Sequence, residues 1–115
     1  MTHERCTVLV VDSDAEVRNV IDDLLFDQGF EVRLGATVEE ALQELRGSRF
    51  DVLLCHLPLL RTEDEGFCHR LRELRPKSRV VAMSASGAQA RGDEADASIS
   101  KPFTRSQLVA ALRPS

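Results

Sequence analysis

The chain has 115 residues, enough for one domain with its own core and too few for two, so residues 1–115 are predicted to form a single domain. Its net charge of -4 argues against general binding of nucleic acid, and the absence of Trp and Tyr removes the side chains that stack best on bases. Three cysteines without a framework spacing, no signal peptide and no apolar stretch of membrane-spanning length predict a cytoplasmic protein in a reducing compartment.

Five short segments have the composition of β-strands. They are residues 7–11, 30–34, 50–56, 79–83 and 97–100. The first, third and fourth are almost continuously apolar, which is typical of parallel strands buried on both faces. The second alternates apolar with charged residues, as a half-buried edge strand does. The pattern therefore predicts central strands and an edge strand of one sheet.

Helix signals lie between these strands. Three helix starts pair a hydroxyl with an acid or amide three residues later, as in a capping box. The pairs are Ser13 with Glu16, Thr37 with Glu40, and Thr104 with Gln107. A further helix over residues 67–74 ends before Pro76, because Pro disfavours helical geometry in the residue before it. Residues 86–96 have so little apolar content that they predict at most a short helix.

Strand and helix signals alternate five times along the chain. That order predicts an α/β fold, a doubly wound (βα)5 parallel sheet with helices on both faces, right-handed crossovers and a shortened fourth helix. In such a sheet the carboxyl ends of all strands share one edge, where open α/β sheets bind their ligands.

Polar residues follow four of the five strands at that edge. They are Asp12, Asp14, His56, Ser84 and Lys101. Each has a structural interpretation of its own: Ser13 and Asp14 as helix caps, Ser84 as a turn residue, Lys101 as a surface cation. Two carboxylates, an imidazole, a hydroxyl and an ammonium at one edge nevertheless predict a candidate site.

The same residues carry a resemblance to a known family. The segments VLVVDSD at 8–14, FDVLLCH at 50–56, VVAMSAS at 80–86 and SKPF at 100–103 resemble the receiver domains of bacterial response regulators. The resemblance implies a five-stranded parallel sheet in the order 2-1-3-4-5. It also implies a Mg²⁺ site made by acids after the first strand, a phosphorylated Asp that ends the third, and a hydroxyl and a Lys that sense the phosphoryl group. Asp12, Ser84 and Lys101 match the first acid, the hydroxyl and the lysine, and the Lys101–Pro102 bond resembles the family's cis peptide.

Four departures from the family pattern accompany these matches. His56 stands where the resemblance places the phosphoacceptor Asp, and Ser13 replaces a metal-binding acid. The loop after the third strand is lengthened and acidic over residues 61–66. The segment between Ser84 and Lys101 is short, and Ser98 replaces the family's aromatic switch residue. The resemblance therefore implies weak Mg²⁺ binding through Asp12 at most, and no other cofactor.

These departures predict a pseudo-receiver, a phosphorylation-independent protein–protein interaction module of a two-component or phosphorelay pathway. Its partners are expected to be signalling proteins or a fused output domain, with no nucleic acid and no membrane, and its oligomeric state is left open. Arg70, Arg72 and Arg75 belong to a basic cluster that is either a solvated helix face or a partner surface.

Three other hypotheses start from the same residues. In the first, His56 switches the domain by protonation, with the carboxylates raising its pKa and Lys101 lowering it, or His56 or a nearby acid takes a phosphoryl group. In the second, Ser84, His56 and Asp12 are a hydrolase triad; no nucleophile-elbow motif supports it, so no enzyme is expected. In the third, two Cys-His pairs, Cys55–His56 and Cys68–His69, bind a metal; neighbouring strand residues point to opposite faces, which disfavours the first pair.

Overall fold

A computed structural model gives the structure of residues 5–61, 70, 73, 74, 77–85, 87–92 and 94–113, and the structural statements below concern these residues. Five strands form the framework. They are β1 (Cys6–Val11), β2 (Phe30–Gly35), β3 (Val52–His56), β4 (Arg79–Ser84) and β5 (Ala97–Ser100). All pair in parallel in the order β2-β1-β3-β4-β5, which confirms the predicted fold class and the strand order that the resemblance implied.

The helices with defined bounds are α1 (Ala15–Leu25), α2 (Val38–Gly47), α3 (Leu57–Leu60) and α4 (Arg105–Leu112), and the described residues 70, 73 and 74 are also helical. Thr37 caps α2, and Thr104 with Gln107 forms the predicted capping box of α4. The predicted cap of α1 is wrong by one residue: Asp14, not Ser13, accepts the hydrogen bond from the Glu16 N–H. The helix starts one residue later than the sequence pattern indicated, and the carboxylate also faces the positive end of the helix dipole.

Alternating side chains of the central strands build two cores, one on each face of the sheet. Leu9, Leu53 and Val80 pack with α2 and α3 on one face. Val8 and Leu54 pack with α1 and α4 on the other. Because these side chains are 0–1% exposed, each contributes about 1.5–3 kcal/mol of hydrophobic stabilisation, and the strand ends are held on a rigid base.

Two connections bear on the site. Helix α3 begins directly after His56, with Pro58 in its first turn, where a missing N–H costs nothing. Between β4 and β5 the described residues form no helix; Arg91 O accepts from the N–H groups of Glu94 and Ala95, so a single turn replaces most of the predicted short helix. Most of the predicted helix over residues 67–74 lies outside the described residues.

Candidate functional site

Asp12 is a buried carboxylate at the carboxyl end of β1. It is 1% exposed, and its backbone N–H donates to Gly35 O, which continues the pairing with β2. Its Oδ1 accepts from the Asp14 N–H at 2.9 Å, and its Oδ2 accepts from Lys101 Nζ at 2.7 Å. Both oxygens are therefore engaged, as a buried charge requires.

Lys101 follows the edge strand β5 and reaches this carboxylate across the ends of β4 and β3. Its backbone N–H donates to Ser84 O at 2.8 Å, and its peptide bond to Pro102 is cis. Lys101 and Asp12 form a short ion pair between residues 89 positions apart in sequence, with the Lys101 side chain 16% exposed and that of Asp12 2% exposed.

His56 completes the group at the end of β3. Its Nδ1 lies 3.1 Å from Lys101 Nζ and 3.8 Å from Asp12 Oδ2, so it is within hydrogen-bond distance of the ammonium and beyond that of the carboxylate. Burial lowers the pKa of His56 below its usual value, Lys101 lowers it further, and Asp12 opposes both. The imidazole is consequently neutral at pH 7. We call Asp12, His56 and Lys101 the strand-end group; one anion, one cation and one neutral ring make it electrically balanced.

The remaining predicted residues lie around the strand-end group. Ser84 is buried at the end of β4 and lines a cavity of about 570 Å³ with His56 and Arg61. Asp14 caps α1 and lines, with Lys101, a second and more apolar cavity of about 470 Å³. Ser13 is exposed.

Ser98 lies on β5, three residues before Lys101. Its Oγ accepts from the Ala90 N–H at 2.8 Å. This hydroxyl therefore holds the backbone of the β4–β5 connection against the edge of the sheet.

The strand-end group does not fit a magnesium site. Mg²⁺ prefers near-octahedral coordination by oxygens, whereas both Asp12 oxygens are hydrogen-bonded and the neighbouring ligand atom is an imidazole nitrogen that faces an ammonium. One Asp14 oxygen is committed to the helix cap. Across the described residues, no three His, Cys, Asp or Glu side chains are grouped so that they could hold a metal ion.

Sequence analysis missed an ion pair beside the site. Arg61, which ends α3, binds Glu94 through two hydrogen bonds, from Nε at 2.7 Å and from Nη2 at 2.9 Å. A third bond runs from Arg61 to Gln89 O. The Arg61 guanidinium and the Arg91 N–H lower the pKa of Glu94 to about 2, although its side chain is only 7% exposed. We call Arg61 and Glu94 the clamp, because it ties the exit of β3 to the β4–β5 connection.

Of the predicted basic surface, Arg70 is exposed, whereas Arg72 and Arg75 lie outside the described residues. Arg79, at the start of β4, is used internally: its Nε donates to Ala111 O, one of the last carbonyl groups of α4. The Arg79 guanidinium is therefore partly buried and less available to a partner than an exposed arginine.

Cys55 is fully buried in the core, and its Sγ contacts its neighbour's carbonyl oxygen, His56 O, at 3.5 Å. The second Cys-His pair, Cys68 and His69, lies outside the described residues. In the part of the chain that the structure describes, no helix is long and apolar enough to cross a bilayer.

Known proteins share this sequence pattern and this arrangement of strands. A family model for the response regulator receiver domain matches residues 8–113. The chain belongs to the response regulator receiver family. Such receivers are signalling domains of two-component systems.

Two curated relatives show the range of similarity. The transcriptional regulatory protein GltR of Pseudomonas aeruginosa is 30% identical over 120 residues, which cover 93% of this chain and 47% of GltR. The transcriptional regulatory protein ZraR of Escherichia coli is 29% identical over 85 residues, covering 74% of this chain and 19% of ZraR. The chain thus spans between about a fifth and about a half of the length of these relatives.

Two solved structures show the same fold at lower identity. Chemotaxis protein CheY4 of Vibrio cholerae superimposes with a TM-score of 0.81 at 23% identity, covering 94% of this chain and 96% of CheY4. A response regulator protein from Burkholderia pseudomallei, which contains a phosphorylated aspartic acid and a calcium ion, gives a TM-score of 0.77 at 23% identity, covering 94% of this chain and 66% of that one.

Proposed function

We propose that this receiver domain is a pseudo-receiver, which binds signalling partners independently of phosphorylation. The observation that carries the proposal is the strand-end group. The position that ends β3 holds a neutral imidazole, and the lysine expected to meet a phosphoryl group is bonded to Asp12 and His56 instead. A receiver cycle needs a carboxylate acceptor and a bound cation, and this pocket lacks the chemistry for both.

Charge balance supports the same proposal. In the family pattern several acids share one pocket, and a divalent cation offsets their repulsion. Here Asp12 is already neutralised by Lys101 at 2.7 Å. Admitting Mg²⁺ would break that ion pair, displace the Lys101 ammonium and leave the metal with a single carboxylate ligand. The net free energy of Mg²⁺ binding would therefore be small.

The face that would report phosphorylation is also rebuilt. Ser98 replaces the aromatic residue of the family pattern, and its hydroxyl binds the backbone of Ala90. The clamp also holds this connection, through contacts of Arg61 with Glu94 and Gln89. These contacts favour one fixed arrangement of the β4–β5 connection rather than a switch between two.

The hydrolase hypothesis conflicts with the hydrogen bonds. In a catalytic triad the acid accepts from the histidine Nδ1–H, whereas here Nδ1 is 3.8 Å from Asp12 Oδ2 and faces the Lys101 ammonium. We therefore propose a binding protein rather than an enzyme. A protonation switch at His56 is disfavoured as well, because its pKa is lowered away from neutrality.

The phosphorylation test uses acetyl phosphate with Mg²⁺ and intact-mass measurement. The wild type is expected to gain no phosphoryl group. His56→Asp alone is expected to label poorly, since Ser13 still leaves the acidic set short, and the double variant Ser13→Asp/His56→Asp is the matched positive control. A stoichiometric phosphoryl gain by the folded wild type, absent from urea-denatured chain, would overturn the proposal.

The proposed partner is a signalling protein or an output domain on the same polypeptide, and the proposed location is the cytoplasm. Relatives in which the receiver is only part of a longer regulator support the proposal of an output domain on the same polypeptide. Arg70, Arg72 and Arg75 are the proposed contact surface. A triple Ala variant should bind a purified partner more weakly and with less salt dependence than wild type, whereas Arg49→Ala, a control at an exposed site outside this cluster, should change little. Equal affinity of the triple variant and wild type would remove this surface from the proposal.

A further inference from the structure

The hydrogen bonds of the strand-end group contain information about the protons on His56. A lysine ammonium has three N–H donors and no acceptor. Lys101 Nζ lies 2.7 Å from Asp12 Oδ2 and 3.1 Å from His56 Nδ1, so it can donate to both at once. Donation to Nδ1 requires a lone pair on that nitrogen. In a neutral imidazole the proton then resides on Nε2.

The opposite tautomer has no support in the geometry. An Nδ1–H would need an acceptor, and the nearest carboxylate oxygen, Asp12 Oδ2, is 3.8 Å away. It would also place an N–H bond against the N–H bonds of an ammonium 3.1 Å away. A protonated imidazole would face the same ammonium with a full positive charge, and burial and Lys101 both lower the pKa of His56.

We propose that Lys101 holds His56 as the neutral Nε2–H tautomer and thereby makes both imidazole nitrogens unavailable as phosphoryl acceptors. This inference deepens the proposed function, since it states why the imidazole at the end of β3 does not replace the missing carboxylate. Lys101 is here a positioning residue, because it determines which imidazole nitrogen of His56 carries the proton.

The chemical reason lies in the lone pairs. Attack on a phosphorus atom forms an N–P bond from a nitrogen lone pair. On Nδ1 that lone pair is directed at Lys101, and on Nε2 the in-plane position is occupied by hydrogen. For Nε2 to react, its proton would have to move to Nδ1, which breaks the hydrogen bond from Lys101 and leaves two donors facing each other. The neutral ring thus retains one N–H donor and no free in-plane lone pair, while His56 lines a cavity with Arg61 and Ser84.

The tautomer is measurable by NMR on protein labelled with ¹⁵N in histidine. Long-range ¹⁵N–¹H correlations distinguish Nδ1–H, Nε2–H and imidazolium by the nitrogen shifts and by the pattern of couplings to the ring protons. The chain has three histidines, so His56→Gln identifies the signal. At pH 7.5 the wild type is expected to show Nε2–H for His56. An Nδ1–H pattern, an imidazolium pattern or a tautomer mixture in the wild type overturns the proposal.

Two variants test the role of Lys101. Lys101→Met removes the donor, so His56 should move from a single tautomer toward a mixture. Lys101→Arg keeps a cationic donor and should retain Nε2–H. If the folded Met variant kept the wild-type pattern, Lys101 would not be the cause; if that variant did not fold, an Nδ1–H pattern or a tautomer mixture in the wild-type or Arg spectrum would still overturn the proposal.

This result is separable from that of the phosphorylation test. A phosphoryl group found on an acid of the wild type would end the pseudo-receiver proposal while leaving an observed Nε2–H tautomer intact. An Nδ1–H tautomer with no phosphoryl gain would end this inference and leave the pseudo-receiver standing. A phosphoryl group on His56 itself would overturn both.

Discussion

Replacing Lys101 by Met should destabilise the domain strongly, because it removes the only cation bonded to the Asp12 carboxylate among the described contacts. Met keeps much of the apolar stem, so the change isolates the charge. Removing one partner of a buried ion pair costs about 3–5 kcal/mol, since the remaining charge stays buried without compensation. Asp12 keeps its bond from the Asp14 N–H, and the Lys101 side chain is 16% exposed, which places the expected loss near the lower end, at about 3 kcal/mol.

Urea denaturation followed by far-UV circular dichroism measures this loss; the chain has no Trp or Tyr for fluorescence. For a domain of this size 1 kcal/mol corresponds to roughly 4 °C, so the melting temperature should fall by about 12 °C. Lys77→Met is the matched control, because the chain's other lysine is exposed and should change stability by less than about 0.5 kcal/mol. Equal stability of the two variants, with unchanged urea dependence, would refute the claim that the ion pair compensates a buried charge.

Three further predictions concern protons and metal. Because the pKa of His56 is lowered in the folded state, the unfolded chain binds the proton more readily. The contribution of neutral His56 to the free energy of unfolding should therefore be fully present above about pH 6.5 and be lost as the pH falls through the folded-state pKa. The variant His56→Gln should flatten this part of the pH profile of stability. Glu94 has a pKa of about 2 against an ordinary 4.5, so its contribution to the free energy of unfolding is present above pH 4.5 and lost toward pH 2. The variant Glu94→Gln should remove that acid-dependent step in a pH series of melting curves. An unchanged step would contradict the stabilising role of the clamp. Millimolar Mg²⁺ should leave the wild-type melting temperature unchanged while raising that of Ser13→Asp/His56→Asp; stabilisation of both to the same extent would argue against the lost metal site.

The strands and their arrangement were predictable because their signals are local. Nearly continuous apolar runs at residues 7–11 and 79–83 identify buried parallel strands without reference to distant contacts. Parallel topology then brings Asp12, His56 and Lys101 to one edge by geometry alone. The helix cap at Ser13 was wrong because a shift of one residue at a helix start depends on backbone angles, and Ser and Asp favour that position about equally.

The protonation state and the clamp were not predictable in the same way. Sequence analysis foresaw that the carboxylate and the lysine act in opposite directions on the pKa of His56, but it could not weigh burial, which proves to be the largest influence. Arg61 and Glu94 are 33 positions apart, and the sequence around neither residue contains a motif that predicts an ion pair. The short β4–β5 connection contains three acids, Asp93, Glu94 and Asp96, and the sequence does not indicate which of them is buried and needs a cation.

The bond from the Ala90 N–H to Ser98 Oγ has a consequence for how information passes through the molecule. A side chain that reports a signal must exchange between two positions, and each position must be occupied for part of the time. Ser98 is short, and its oxygen is used to hold a neighbouring backbone segment. In the proposed pseudo-receiver, a face fixed in this way would respond to the concentration of the protein and not to its modification state. Partner occupancy should then follow a simple hyperbola in protein concentration, and the output would be set through synthesis and degradation.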